Sequence, residues 1–139
     1  MFDLVSSNKM ISMMDKSLTL ASRRMALIAS NLANIDTPKY RTQDFSFQDA
    51  FQHEMETLDR QFSPNNQGLP SHFAAKPGIT TPTVSDPVDQ SYERNDGNDV
   101  SLDRETMNLA KTQATYQISA QIGQAELKRL LAAIRDGAK

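Results

Sequence analysis

The 139-residue chain contains no cysteine and no tryptophan, and only two histidines. Without cysteine there are no disulfides, no thiolate chemistry and no cysteine-based zinc sites. His53 and His72 have no partner residue at a metal-ligand spacing, so we interpret both as surface loop residues. The net charge is −2 and the pI is near 5.6, so the chain has no basic field for nucleic acid. These counts predict no cofactor, no metal and no nucleic-acid partner.

Long apolar runs are also missing, and the mean hydropathy is −0.55. No segment is apolar over the length that a bilayer requires, which predicts no membrane insertion. The first residues, MFDLVSSNKM, lack the basic start and long apolar middle of a cleaved signal peptide, so we expect none to be removed. Phosphate-binding loops and GxSxG elbows are absent, and NDGND at 95–99 fails the calcium-loop spacing and predicts a turn. Nothing here indicates an enzyme.

The N-terminal part is patterned as a helix. Apolar residues recur there at alternating steps of three and four, which predicts a helix of about 25 residues that packs lengthwise on another helix. Pro38 lacks an N–H group and disfavours the α conformation at Thr37, so this helix should end near Ile35. The apolar positions are Ile11, Met14, Leu18, Ala21, Met25, Ile28, Leu32 and Ile35.

A second helix is predicted from about Leu102 to Arg135, with Ser101 and Asp103 at its first turn and Gly137 at its stop. The fold class is therefore mainly α, with two long terminal helices that pair antiparallel in coiled-coil fashion. The residues expected at the helix or assembly interface are Met14, Leu18, Ala21, Met25, Ile28, Leu32, Ile35, Leu109, Tyr116, Ile118, Ile122, Leu127, Leu130 and Ile134.

The middle of the chain differs in composition. Five of the six prolines lie between residues 52 and 98, and no helical or strand period is sustained there. We predict an irregular, proline-rich insert, with short β strands around 79–83 as an alternative for that part of it. The chain then divides into 1–51 (helix and aromatic segment), 52–98 (insert) and 99–139 (C-terminal helix).

Charge is absent from the two stretches MALIASNLANI (25–35) and TQATYQISAQIGQA (112–125). A surface helix of a monomer normally has a charged outer face, whereas Ala, Ser, Thr, Asn and Gln allow close helix contacts without burying an ion. One interpretation of each stretch alone is a solvated polar face. Because both terminal helices show it, the pattern favours helices packed on several sides in an assembly.

Two further clusters have alternative interpretations. The aromatic residues Tyr40, Phe45, Phe47 and Phe51 form either a small core, where the segment after the helix folds back, or a docking site for a partner. The pair Arg23–Arg24 is too short for a nucleic-acid patch, and we expect it on the outer face of the first helix.

SNLANIDTPKYRTQDFSF, at 30–47, resembles the N-terminal signature of bacterial flagellar axial proteins, the rod and hook family. Asn31, Leu32, Ala33, Asn34, Asp36, Thr37, Pro38 and Tyr40 match its pattern Asn-(Ile/Leu)-Ala-Asn-x-(Asp/Ser)-Thr-Pro-(Gly)-Tyr. Lys39 stands where glycine is common, so we expect no left-handed backbone there. The stretch GNDVSLDRE, with Asp103, Arg104 and Glu105, is similar to the C-terminal start of short proximal rod subunits.

This resemblance implies a structural subunit of the proximal rod that is exported through the flagellar type III apparatus and assembles through its terminal helices into a torque-transmitting rod. Implied partners are other copies of the chain, other rod proteins, the adaptor FliE, the MS ring and the export gate. The implied location is the periplasmic rod of the basal body. Phe47 and Phe51, spaced Phe-x-x-x-Phe, are candidate export-recognition residues. The alternative function is a helical cytoplasmic adaptor or export chaperone that binds a partner helix.

Overall fold

The computed structural model describes the backbone of residues 4–61 and 93–137 and the side chains of 8–60 and 93–136. Its regular elements are three helices, α1 (Leu4–Ala33), α2 (Phe47–Gln61) and α3 (Leu102–Gly137). The mainly helical fold is therefore confirmed. The β pairings considered around 79–83 lie outside the described residues, as does His72.

Both terminal helices end close to where the sequence places them, but α1 begins at Leu4, well before the first residue of the predicted apolar pattern, Ile11. α1 ends at Ala33, two residues before the predicted end, and a run of turns leads to Pro38. At the start of α3, the backbone carbonyl of Ser101 accepts a hydrogen bond from the Glu105 N–H, at 2.9 Å. Asp103 lies in the first turn and Arg135 in the last, where each charge favours the helix dipole.

α2 is the element that the sequence interpretation missed. It occupies Phe47–Gln61, so the predicted boundary at residue 52 falls inside a helix, and residues 52–61 of the segment predicted to be irregular are helical. His53 lies on this helix, exposed to solvent, and not on a loop. Ser46 caps the helix, because its hydroxyl accepts a hydrogen bond from the Asp49 N–H at 3.3 Å and its carbonyl accepts one from the Ala50 N–H at 3.1 Å.

Both α3 and α2 pack along α1, and each runs antiparallel to it. For α3, Ser17 meets Ser119 and Asn31 meets Glu105, so the residue numbers of opposite positions sum to 136. For α2, ion pairs join Lys9 to Asp59 and Lys16 to Glu54. No Cα atom of α2 lies within 8 Å of a Cα atom of α3, so α1 is the central helix of an open array.

Few apolar side chains are fully covered in the described part of the chain. The buried apolar residues are Leu20, Ala21, Ile28, Phe45, Leu58 and Val100. Within the described ranges, no helix is both long and apolar enough to cross a lipid bilayer.

Candidate functional site: a polar junction and an exposed helix face

The two family-signature segments come together at one end of the helix array. The end of α1 and residues 34–46 pack there against residues 93–101 and the first turn of α3, and we call this region the polar junction. Its buried side chains are mostly polar: Asn31, Thr42, Asn98, Asp99 and Glu105 are each at most 5% exposed. Among the described residues, every buried side-chain nitrogen and oxygen has a hydrogen-bond partner, as a stable buried network requires.

Asn31 is the centre of this junction. Its amide nitrogen donates to the Gln43 carbonyl at 2.8 Å and to a Glu105 carboxylate oxygen at 3.0 Å. Its amide oxygen accepts from the Gln43 N–H at 3.0 Å and from the Tyr40 hydroxyl at 3.2 Å. One fully buried side chain therefore joins α1, the segment 34–46 that follows it, and α3. No shorter or apolar side chain makes these four contacts.

Asn98 closes the C-terminal end of α1. Its amide nitrogen lies 2.9–3.0 Å from the carbonyl oxygens of Asn34, Ile35 and Thr37, in the turns that follow the helix. Arg94 also donates to the Ile35 carbonyl, at 3.2 Å. The turn predicted for NDGND is confirmed, and in addition its Asn98 is buried and holds the helix end from 60 residues away in sequence, a role that the motif comparison gave no sign of.

Asp99 connects the two loops of the junction. One carboxylate oxygen accepts from the Thr42 N–H at 2.6 Å and from the Thr42 hydroxyl at 2.8 Å, and Arg41 lies 3.7 Å from the other oxygen. Burial works to raise the pKa of Asp99, but the Thr42 hydrogen bonds and the charges of Arg41 and Arg104 together hold it below its ordinary value of 3.8. Asp99 is therefore a charged anchor at neutral pH.

Lys39 contradicts the expectation drawn from its sequence. Its φ is +62°, the left-handed conformation that the common family glycine takes without cost. The Lys39 N–H donates to the Asp96 carbonyl at 3.0 Å, and its side chain lies against Gly97, whose φ is +77°. The contact between the two turns thus imposes a backbone that the lysine side chain disfavours.

Residues 34–46, which follow α1, determine where Arg24 and the aromatic cluster lie. Arg24 makes two hydrogen bonds to the Asp44 carboxylate, at 2.9 and 2.6 Å, so the expectation that both arginines lie on the outer face is wrong for Arg24. Phe45 is buried, and Tyr40 is held by Asn31, as expected of a small core. Phe47 and Phe51 stack on each other on α2 with ring centroids 6.1 Å apart and remain half-buried.

The predicted interface residues separate into covered and open groups. On α1, Ala21 and Ile28 are buried and the other four are half-buried, as is Ile35 in the turns after the helix. On α3, the side that faces α1 is a polar column at seven-residue spacing: Glu105, Thr112, Ser119 and Glu126. The half-buried α1 residues are Met14, Leu18, Met25 and Leu32.

The apolar stripes predicted on α3 lie on either side of this polar column and are largely open to solvent. Leu109 and Leu130 are half-buried, but the other predicted residues, Tyr116, Ile118, Ile122, Leu127 and Ile134, are 38–61% exposed. These five side chains are therefore not the intramolecular seam. The seam instead uses small and polar contacts, such as the Ser17–Ser119 hydrogen bond of 2.7 Å and the approach of Met14 to Gly123. An exposed apolar face on a long helix is typical of a protein–protein contact surface.

Comparison with known proteins places the signature segments in a family. Residues 17–41 match the family model described as "Flagella basal body rod protein". A flagellar basal body rod protein FlgB of Bacillus subtilis is 30% identical over 77% of this chain and 78% of its own length. FlgB of Buchnera aphidicola is 28% identical over 89% of this chain and 92% of its own length. FlgB of Salmonella typhimurium is 27% identical over 88% of this chain and 90% of its own length.

Proposed function

Since the chain belongs to the FlgB family of flagellar basal body rod proteins, we propose that it assembles through its terminal helices into the proximal part of a helical rod. It is a structural subunit of the rod and not an enzyme. The rod family therefore replaces the alternative of an adaptor or export chaperone, which no observation favours.

The observation that carries the assembly proposal is the exposure of the apolar stripes on the two flanks of α3. Leu127, Leu131 and Ile134 are 48–64% exposed, and the charge-free stretch 112–125 adds Ile118 and Ile122. Such side chains gain about 25 cal/mol per Å² when a neighbouring subunit covers them. In an assembled rod, the α1–α3 pair would act as a coiled coil whose outer stripes contact other subunits on several sides.

Partners and location follow from the family and are proposals for this chain. The chain would contact further copies of itself, other rod proteins, the adaptor FliE, the MS ring and the export gate. It would lie in the periplasmic rod and transmit torque. Fractionation tests this directly: the chain should be found in purified hook–basal bodies, and its absence from them would refute the rod assignment.

Export by the flagellar type III apparatus is the route that we propose, with the Phe47–Phe51 pair as its recognition element. Support comes from the stacked pair being only half-buried at the start of α2, where it remains partly accessible. A double variant, Phe47→Ala with Phe51→Ala, should lower secretion of the chain into the medium of cells that lack the hook. A matched variant, Gln48→Ala with Gln52→Ala, should be secreted normally. Equal secretion of the two would refute the proposed recognition.

A further inference from the structure

The open array of helices leaves a groove between α2 and α3. The same part of α1 contacts both helices, which places their contacting residues at the same height along the α1 axis. The Met14 Cβ lies 3.5 Å from the position that a Cβ of Gly123 would occupy, and the Lys16 Nζ lies 3.0 Å from a Glu54 carboxylate oxygen. Helical geometry then turns Phe51 and Met55 of α2 toward α3, and Ile118 and Ile122 of α3 toward α2. We call these four residues the outer groove.

The outer groove is apolar and is bordered by two acidic side chains. Ile118 and Ile122 are 57% and 41% exposed, and Phe51 and Met55 are half-buried. Asp49 and Glu56 lie on the solvent side of α2, seven residues apart, and form no ion pair with any residue that the structure describes. An occupant of the groove therefore needs an apolar stripe that is flanked by two basic residues about two turns apart.

The C-terminal end of α3 has this pattern. Leu127, Leu131 and Ile134 form an exposed apolar ridge, which we call the C-terminal ridge. Lys128 and Arg135 flank it, again seven residues apart, and both are exposed without an ion pair inside the described ranges. The ridge lies on the opposite flank of α3 from Ile118 and Ile122, so it cannot fold into the groove of its own chain.

We propose that the C-terminal ridge of one copy docks antiparallel into the outer groove of a second copy, with Arg135 against Asp49 and Lys128 against Glu56. In this register, Leu131 lies level with residue 53, between Phe51 and Met55, and Ile134 lies next to the level of Phe51, so the apolar and charged rows match together. The negative end of the α3 dipole also lies at the positive N-terminal end of α2. This inference rests on the proposed function, because it specifies one contact of the self-assembly.

The contact joins two different surfaces, so it does not close on itself. Each copy keeps one free groove and one free ridge, and repetition of such a heterologous contact gives an open chain of subunits. A symmetric dimer is therefore not expected from this surface.

Disulfide crosslinking tests the inference cleanly because the chain has no cysteine of its own. A variant with Met55→Cys and Leu131→Cys should form a ladder of crosslinked oligomers on mild oxidation in rod-containing membranes. Gln52→Cys with Leu131→Cys is a second pair, whose α2 position is exposed and does not risk the fold. The matched control, Ser22→Cys with Leu131→Cys, joins the ridge to an exposed position on α1 and should stay monomeric.

Charge exchange gives the second readout. Lys128→Glu with Arg135→Glu should abolish the ladder, and adding Asp49→Lys with Glu56→Lys to the same chain should restore it. The inference is overturned if the control crosslinks as well as the groove pairs, if the groove pairs link only within one chain, or if charge reversal leaves the ladder unchanged. Recovery of the chain in basal bodies is scored separately, so the docking contact can fail while the rod assignment stands.

Discussion

At the residue scale, Asn31 shows why a short motif keeps a polar side chain in a buried place. Replacement by Ala would remove the hydrogen-bond partner of the Gln43 N–H and of one oxygen of the buried Glu105 carboxylate, and each lost partner costs about 1–3 kcal/mol. We expect Asn31→Ala to lower the free energy of unfolding in urea by about 3 kcal/mol. The matched variant Asn34→Ala removes a more exposed amide, whose bond to the Ser30 carbonyl is 2.9 Å, and should cost about 1 kcal/mol or less. Equal losses would contradict the central role of Asn31.

For Lys39 we predict a substitution that raises the free energy of unfolding. Its left-handed backbone is imposed by the contact with residues 96 and 97, and a non-glycine residue pays about 1 kcal/mol for it. Lys39→Gly should therefore raise the free energy of unfolding by about 0.5–1 kcal/mol, since relief of strain exceeds the entropy cost of glycine. Lys39→Val, with a β-branched side chain, should lower it. A loss of stability in Lys39→Gly would show that the left-handed turn is not strained.

Asp99 gives the junction a dependence on pH. Its pKa is lower in the folded chain than the ordinary 3.8, so its contribution is fully present above that value and is lost as the pH falls through the folded pKa. The stability difference between the wild type and Asp99→Asn should therefore be largest near neutral pH and shrink below about pH 4. Asp36→Asn is the control, because Asp36 is 91% exposed. Urea unfolding at pH 7, 4 and 3 measures this, and a constant difference would refute it.

The same residues show what the sequence could and could not predict. Asn31, Asp36–Pro38 and Asp103–Glu105 were recognised as family positions, but their contacts join residues 74 apart in the chain and have no local signal. Lys39 was wrongly predicted because a tertiary contact overrides its backbone preference. Asn98 was missed because buried asparagines and turn asparagines have the same local pattern.

At the element scale, α1 and α3 were predictable because long periodic segments with clear caps leave little choice of structure. α2 was missed although Ser46, Asp49 and Arg60 are suitable start and end residues, because its aromatic residues were interpreted as a separate cluster. The side of α3 that faces α1 was also not predicted. The polar residues that face α1 follow a strict seven-residue repeat and lie between two apolar stripes. Because the interface was predicted from periodic apolar residues, that prediction selected the stripes and not the polar column.

Substitutions of two isoleucines should distinguish an effect on folding from an effect on assembly. Ile28 is 1% exposed on the α1 seam, so Ile28→Asp buries an unpaired charge and should unfold much of the chain, with a loss of several kcal/mol. Ile122 is 41% exposed, so Ile122→Asp should leave the isolated chain as helical as the wild type but prevent its incorporation into basal bodies. Circular dichroism and basal-body fractionation measure the two effects, with Gln121→Asp as control. Normal motility of Ile122→Asp cells would argue against an assembly contact at this position.

At the scale of the whole molecule, the distribution of covered surface is uneven. Among the residues that the structure describes, the polar junction holds most of the long-range hydrogen bonds, whereas the far half of the α1–α3 pair relies on small contacts such as Ser17–Ser119 and Met14–Gly123. Side chains there that would normally form a core, Leu127, Leu131 and Ile134, are exposed. Exposed side chains of this kind support the proposal that neighbouring subunits complete the apolar contacts of the chain.

This uneven coverage predicts a gradient of backbone protection in the dilute monomer. Amide hydrogens of α3 near residues 105–112 should exchange slowly, because the junction holds that end, whereas those of 120–137 should exchange faster, since local opening there exposes little additional apolar surface. Assembly should slow exchange along all of α3, because neighbouring subunits cover its outer stripes. Hydrogen exchange read by mass spectrometry on monomer and on isolated rods measures both. Uniform, full protection of both terminal helices in the monomer would contradict the expectation that assembly completes their order.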